Sequence, residues 1–313
     1  MIKHVSDSPP ASSAVATVRA PAKVNLILRI LERRTDGFHN LWSLMQTVGL
    51  EDEITIRLDQ GPPGIRLQCD DSSLDTGRTN LVCRAADAVL RRCGRTAGID
   101  IVLAKRIPMG AGLGGGSSDA AATIVGLSRL LDLGWSSEEM AEVGQAIGSD
   151  VPFFFFAPSA VVRGRGEEVS PVVIPGTRWV VLVNPGFSVE TKWAYQELSA
   201  SRSHVRALSD RHASLEHERE LSWESVLERA ENDFEGPVFR THPVLQAIRQ
   251  DLLGLGAEAA LLSGSGATVF GVFRDEATAR RAAVDFQARP QVKVFAVPVG
   301  SGPLGCTPTL LSL

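Results

Sequence analysis

Between Pro108 and Asp119 the chain reads Pro-Met-Gly-Ala-Gly-Leu-Gly-Gly-Gly-Ser-Ser-Asp, five glycines in twelve residues. Such a run is costly inside a regular element, because glycine loses the most backbone freedom on ordering. It is therefore a connection, and its flanks say between what. Ile99, Ile101 and Leu103 alternate as in a strand, and a helical pattern runs from about Ser118 to Leu131. A strand, a glycine loop and a helix in that order can bring backbone N–H groups close to an anion. The helix adds unsatisfied N–H groups and its positive dipole end. The competing reading is a flexible connector, but linkers do not usually run straight into an apolar helix.

The identity of the anion is the next question. Gly110, Gly112 and Gly115 formally match GxGxxG, which keeps a dinucleotide-binding oxidoreductase open as an alternative. A dinucleotide fold also wants an acidic residue ending a second strand about twenty residues on. Here that region, Leu130–Trp135, reads as a helix end. GxxxxGK[ST], HRD and DFG are all absent, which removes the Walker loop and the protein kinases.

The bulk numbers narrow the class further. The 313 residues carry 32 Lys+Arg against 36 Asp+Glu, a formal net charge of −4, which leaves no electrostatic footprint for nucleic acid. The length suits roughly two domains. The apolar runs Trp179–Val183 and Phe153–Ala157 are far short of a membrane span, and the first nineteen residues lack the apolar core of a signal peptide. Cys69, Cys83, Cys93 and Cys306 show no CxxC spacing, and His217-Glu218 fails as HExxH because Leu221 holds the second His position. The expectation is a cytoplasmic protein with no membrane or nucleic-acid partner. The oligomeric state stays unread.

The expected elements follow from periodicity. Val24, Leu26, Leu28 and Ile30 alternate as one face of a strand, with Lys23, Asn25, Ile27 and Arg29 on the other. Ile54, Ile56 and Leu58 make a second strand. Ile65 and Leu67 make a third, joined to it as a hairpin through Gly61-Pro62-Pro63-Gly64. Helices are expected at Asn80–Arg92 and Ser137–Ile147, and a hairpin at Ala160–Val173. After Pro175 come a strand at Trp179–Val183, a helix at Thr191–Leu198, a polar surface excursion at Ser199–Arg219 and a helix at Trp223–Ala230. Another helix carries Pro243 in its first turn, with Gly254 just past its end. Strands at Ala259–Leu262 and Thr268–Phe273 flank Ser263-Gly264-Ser265-Gly266, and a helix at Glu276–Ala288 and a strand at Val292–Val297 follow. This second pattern reads as a split βαβ sandwich. The division expected is a flexible tail at 1–18 and domains at 19–174 and 175–313.

Three further segments carry polar residues in suggestive places. Pro21-Ala22-Lys23-Val24-Asn25-Leu26 puts Lys23 and Asn25 on one strand face, although a lone strand Lys is ordinarily a solvated charge. Gly148-Ser149-Asp150-Val151-Pro152 sets an Asp beside Phe153–Phe156, where a turn Asp bonding its own backbone is the plainer reading. Leu262-Ser263-Gly264-Ser265-Gly266-Ala267 alone would be a hairpin. In this order, with the glycine loop, the segments resemble the GHMP kinases, the superfamily of galactokinase, homoserine, mevalonate and phosphomevalonate kinases. Asp36-Gly37-Phe38-His39, Asn80-Leu81, Asn184-Pro185-Gly186 and Glu231-Asn232-Asp233-Phe234-Glu235 fit the branch whose acceptor alcohol carries a cytidine diphosphate. The resemblance spans about Arg19 to Val299.

The resemblance implies an α+β fold of two domains. One is an N-terminal mixed α/β nucleotide domain; the other is a C-terminal ferredoxin-like split βαβ domain. It implies that Pro108, Met109, Gly110, Ala111, Gly112, Leu113, Gly114, Gly115, Gly116, Ser117 and Ser118 hold ATP, and that Lys23 and Asp150 are the catalytic pair. Asp150 would accept the hydroxyl proton and Lys23 would keep it ionised, which suits phosphoryl transfer, a reaction governed by alignment and charge. Mg²⁺ is implied with the nucleotide; its ligands are unassigned, with Ser117 and Ser118 as candidates. Asn25, His39 and Thr191 would contact the cytidine diphosphate, and Phe38 and Tyr195 would stack on the base. Two residues depart from the family pattern: Phe38 stands where Tyr is common and Tyr195 where Phe is common. Another GHMP kinase, such as homoserine kinase, is the near alternative.

Overall fold

The computed structural model describes residues 14–59, 61–202, 207–300, 304 and 306–310. Its first half comprises β1 (Ala14–Arg33), β2 (His39–Asp59), β3 (Gly64–Cys69), α1 (Leu81–Cys93), β4 (Gly98–Ala104), α2 (Gly115–Leu130), α3 (Ser137–Gln145), β5 (Ser159–Gly164) and β6 (Glu168–Pro171). The second half runs β7 (Trp179–Asn184), α4 (Thr191–Ala200), α5 (Asp210–Ala213), α6 (Trp223–Glu228), β8 (Glu231–Asn232), α7 (Glu235–Thr241), α8 (Pro243–Gly254), β9 (Ala259–Leu262), β10 (Val269–Phe273), α9 (Glu276–Gln287), β11 (Lys293–Pro298) and β12 (Cys306–Leu310).

Two sheets result. The larger runs β12-β1-β2-β4-β3, with β5 also on β2, β6 on β5 and β8 on β1; the smaller runs β11-β7-β10-β9, all antiparallel. The smaller one is the expected split βαβ sheet. The proposed hairpin of the second and third strands does not form. β4 lies between β2 and β3, antiparallel to the first and parallel to the second. Only Leu67 of β3 is buried, so this polar strand takes an edge and leaves the interior to Ile99, Ile101 and Leu103. The expected tail also shortens. Residues 14–18 already belong to β1, paired throughout with β12 and from Val15 on with β2 as well, while residues 1–13 lie outside the described residues.

β1 departs from simple alternation too. Its register on β2 shifts between Pro21 and Ala22 and again between Asn25 and Ile27. Val24, Leu26 and Ile27 therefore face one core, while Leu28 and Ile30 rejoin the other with Val18 and Ala20. Lys23 and Asn25 stay together on the interrupted face, and both are buried.

The helices differ in how their N-termini are closed. Asn80 caps α1 by accepting from Val82 N, and Ser136 with Glu139 forms a capping box on α3. α2 begins at Gly115, three residues before the expected start, so Gly115 and Gly116 form its first turn instead of loop. Its N-cap, Gly114 at φ +70°, offers no side-chain acceptor, and the first N–H groups stay open. Residues Ser118–Ser128 of α2 are all buried, which fixes that open end rigidly. No helix among the described residues is long and apolar enough to cross a membrane.

The two halves are stitched where β8 pairs with β1. Asp233 accepts from Ile30 N at 2.7 Å and from Arg202 at 2.8 Å, with Arg29 at 3.4 Å. Its carboxylate is only 2 % exposed. Removing one member of a buried ion group strands the others without compensation. Asp233→Ala is expected to destabilise the fold by about 3–5 kcal/mol, measured by urea denaturation. A loss below about 1 kcal/mol would mean that the arginines are solvated without it.

Candidate active site

Three loops from distant parts of the chain meet at Lys23. Its backbone N–H donates to Leu113 O at 2.9 Å, so β1 lies directly against the glycine loop. A Cβ on Gly114 would stand 2.9 Å from Lys23 Cγ, and one on Gly112, at φ +76°, would stand 2.1 Å from Ser263 O. These two glycines allow the loop to wedge between the lysine and the Ser263–Gly266 turn. That turn, a hairpin between β9 and β10 as expected, is pinned to the loop by Ser263 Oγ donating to Gly112 O at 2.9 Å and by Thr268 N donating to Ala111 O at 3.2 Å.

Lys23 is not the solvated charge that its position in a strand would suggest. Its side chain is 4 % exposed, and its Nζ donates to Asn25 Oδ1 at 2.7 Å and sits 3.5 Å from Asp150 Oδ2. Asn25 Oδ1 also accepts from Gly264 N at 3.0 Å, and its Nδ2 donates to Ser43 Oγ at 2.8 Å. Ser43 in turn donates to Ile27 O at 2.7 Å. Asn25 thus aims the lysine, besides lining the space beside it. Asp150 lies between α3 and the short helical turn Pro152–Phe155, and Lys23 is its ionic partner among the described residues. The self-capping turn reading therefore does not apply.

Two clefts open on either side of this pair. One, of 610 Å³, is lined by Pro108–Ser117, by Lys105 and Asp119, and by Asp75 and Asn80 of the segment leading into α1. The other, of 800 Å³, holds Phe38, His39, Thr191, Tyr195 and Asp150 with three cations, Arg33, Arg165 and Lys192. A throat of 170 Å³ between them is walled by Lys23, Asn25, Gly114, Asp150 and Thr191. Thr191 lines all three spaces and meets Ser265 Oγ at 3.0 Å.

The aromatic residues are arranged unequally. Tyr195 stacks on His39, with ring centroids 5.1 Å apart, and meets Phe234 edge-on. Its hydroxyl is pushed up to about 12 by burial and by the Asp150 carboxylate, so it remains protonated. Phe38 is 56 % exposed and carries the Arg165 guanidinium over one face. His39 is held below the ordinary imidazole value by partial desolvation and by the facing Arg33 and Arg202.

Several participants escape a linear reading. Asn232 donates to Leu262 O and Gly264 O at 2.7 and 2.8 Å and holds the turn in place. Ser43 orients Asn25, and Arg165 and Lys192 supply charge to the larger cleft. Each acts on a partner remote in sequence, so no local pattern announces its role; Asn232 lies in the Glu231–Glu235 segment that fits the family, but that fit does not say what it holds. Asp52, Lys105 and Asp119 form a buried ion group beneath the glycine loop. Against its own burial, Asp119 and Asp52 hold the Lys105 ammonium up.

Residues 80–157 match the family described as GHMP kinases N terminal domain, and residues 207–290 that described as GHMP kinases C terminal. A 4-diphosphocytidyl-2-C-methyl-D-erythritol kinase of Syntrophotalea carbinolica is 44 % identical over 278 residues, 89 % of this chain and 96 % of the relative. The enzyme of the same name from Geobacter sulfurreducens is 42 % identical over 276 residues, 87 % of this chain and 95 % of its own. A crystal structure of 4-(cytidine 5'-diphospho)-2C-methyl-D-erythritol kinase superposes with a TM-score of 0.75 at 34 % identity, covering 91 % of this chain and all of that one (100 %). Homoserine kinase from Cytophaga hutchinsonii shares the fold, with a TM-score of 0.73 at 18 % identity over 98 % of this chain and 100 % of its own.

The environment of His39 makes a measurable statement. Its imidazole is expected to titrate below the free value of about 6.5, read by NMR. Replacing Arg202 with Ala should move it upward, since one repelling cation is gone. A His39 titrating at or above the free value would show that the aromatic cleft is solvated.

Proposed function

The chain belongs to the GHMP kinases and, within them, to the 4-diphosphocytidyl-2-C-methyl-D-erythritol kinases; on that premise we propose that it transfers the γ-phosphoryl group of ATP to the 2-hydroxyl of 4-diphosphocytidyl-2-C-methyl-D-erythritol. The products are the 2-phosphate and ADP, and the reaction is a step of non-mevalonate isoprenoid precursor synthesis in the cytoplasm. The observation that carries this reading is the meeting of two clefts at the Lys23–Asp150 pair. One is floored by glycine-loop amides and a helix N-terminus, the other by aromatic rings and cations.

The triphosphate lies along residues 108–118, where the open N–H groups of α2 and the loop amides accept its charge. The cytidine diphosphate enters the larger cleft. Tyr195 and Phe38 offer π-faces to the base, His39 offers a neutral imidazole for its edge, and Thr191 and Asn25 line the path towards the throat. The hydroxyl to be phosphorylated then faces Asp150, which takes its proton. Lys23, held by Asn25, keeps the carboxylate in place and meets the attacking oxygen.

Mg²⁺ travelling with the nucleotide fits this end of the molecule. Ser118 Oγ is buried without a partner among the described residues, and Ser117 lines the nucleotide cleft. These hydroxyls suit an ion that keeps several waters and phosphate oxygens and needs few protein ligands. When bound it neutralises phosphate charge. A homoserine-type acceptor offers nothing for the His39–Tyr195 stack to recognise, which favours the cytidyl substrate.

The deciding assay supplies ATP, Mg²⁺ and the cytidyl alcohol and follows ADP. Turnover of homoserine or mevalonate with none of the cytidyl alcohol would reverse the assignment. Asp150→Asn is expected to lower kcat by ~10²-fold or more, the scale of a lost general base, with ATP affinity retained; normal turnover would remove Asp150 from proton transfer. Tyr195→Ala should raise KM for the cytidyl alcohol by about tenfold or more, as loss of a base-stacking ring does. An unchanged KM would place the base elsewhere.

A further inference from the structure

The glycine loop is closed at its base by charges that the reaction as described does not use. Lys105, the last polar residue before the loop segment but one, is 6 % exposed at its side chain. Its Nζ donates to Asp119 Oδ2 at 2.9 Å and to Asp52, which is 0 % exposed. Asp52 Oδ1 also accepts from Arg106 N at 2.5 Å and Ile107 N at 2.9 Å, the residues that lead into the loop. Asp119 stands in the first turns of α2, where the loop ends. The backbone N–H of Lys105 is itself fixed, donating to Asp70 Oδ1 at 2.8 Å. One ammonium therefore ties the entry of the loop, through Asp52, to its exit, through Asp119.

The group also faces the ligand. Lys105 and Asp119 both line the nucleotide cleft, and a Cβ on Gly115 would lie 3.3 Å from Lys105 Nζ. The ammonium thus sits directly behind the first residue of α2, whose amide is among the open donors. Asp119 Oδ1 is buried with no hydrogen-bond partner among the described residues. A cluster retained only for stability would be expected to satisfy that oxygen, because an unmatched buried acceptor is costly.

Resting on the function proposed above, the geometry points to Lys105 as a positioning residue of the phosphate cradle. It holds residues 108–118 in register between β4 and α2 and offsets the Asp52 and Asp119 carboxylates, which would otherwise repel the triphosphate from beneath the loop. Lys192 and Arg165 lie in the other cleft and cannot substitute for it.

The test compares ATP with AMP, which keeps the base and sugar but lacks the outer phosphates. Calorimetric titration of the full chain with each nucleotide, without acceptor, is to be run on wild type and on Lys105→Met. The expected result is a loss of ATP affinity on the order of tenfold, the scale of one partly screened charge near a polyanion, with AMP affinity changed less than about twofold. KM for the cytidyl alcohol should stay put. Equal losses for both nucleotides would make Lys105 a purely structural residue and overturn the role, as would no loss at all. If Lys105→Met does not fold, Lys105→Gln, which keeps donors for both carboxylates, takes its place with the same criterion. A wild type that binds ATP but leaves the cytidyl alcohol unphosphorylated would defeat the proposed function alone; one that binds no ATP would defeat both.

Discussion

The burial of the Lys23 ammonium is the constraint around which the rest is arranged. A cation taken out of water is strongly disfavoured unless polar groups replace its hydration. Here Asn25 Oδ1 and the Asp150 carboxylate do so. Asn25 can serve only because Ser43 and Gly264 fix its amide, and Gly264 can reach it only because Asn232 holds the turn that carries it. The glycine loop must also leave room for the lysine stem, which Gly114 provides by lacking a Cβ. The loop that reads as a phosphate cradle is thus equally a sheath for a buried cation.

That dependence crosses the two halves of the molecule. Lys23, Asn25 and the glycine loop belong to the larger sheet and its helices. Gly264 and Ser263 come from the smaller sheet, and Asn232 from the short strand β8 that joins β1. Polar networks of this kind are stabilising only when complete. A site built so gains rigidity without a long-lived ligand, and rigidity is what in-line phosphoryl transfer asks of its aligning groups. The small volume of the throat follows from the same packing.

The sequence made some of this legible and concealed the rest for identifiable reasons. Most element positions follow from periodicity, as at α1 and α3, whose expected spans end within two residues of the observed ones. The glycine run marks a place where backbone must come close to other groups, and in the structure Gly112 and Gly114 do so against Ser263 and Lys23. The strand interruptions at Pro21 and Asn25 are silent, since a bulge adds no distinctive residue; alternation read through them assigned Leu28 and Ile30 to the wrong face. The order of β2, β4 and β3 was hidden because proximity in sequence suggests a hairpin, whereas burial decides which strand is central. Buried charges were the hardest to see. Lys23, Lys105 and Arg29 look like surface residues until their partners arrive from other segments.

The charge pattern gains a different meaning once these burials are known. A net −4 argues against binding polyanions by a broad basic surface. Yet both ligands of the proposed reaction are polyanions, and each cleft meets its ligand with few, local groups. In the proposed reaction the nucleotide cleft would rely on amides, an uncapped helix end and one sequestered ammonium. The acceptor cleft has Arg33, Arg165 and Lys192 around an aromatic wall. Between them the Asp150 carboxylate would be repelled by both ligands were Lys23 not beside it. On the proposed function, cations placed at fixed depths, and not in excess, would make attraction strongest where the phosphates must stop. Binding energy gathered at the distant base can then serve to orient the hydroxyl in the throat, which is where it accelerates the reaction.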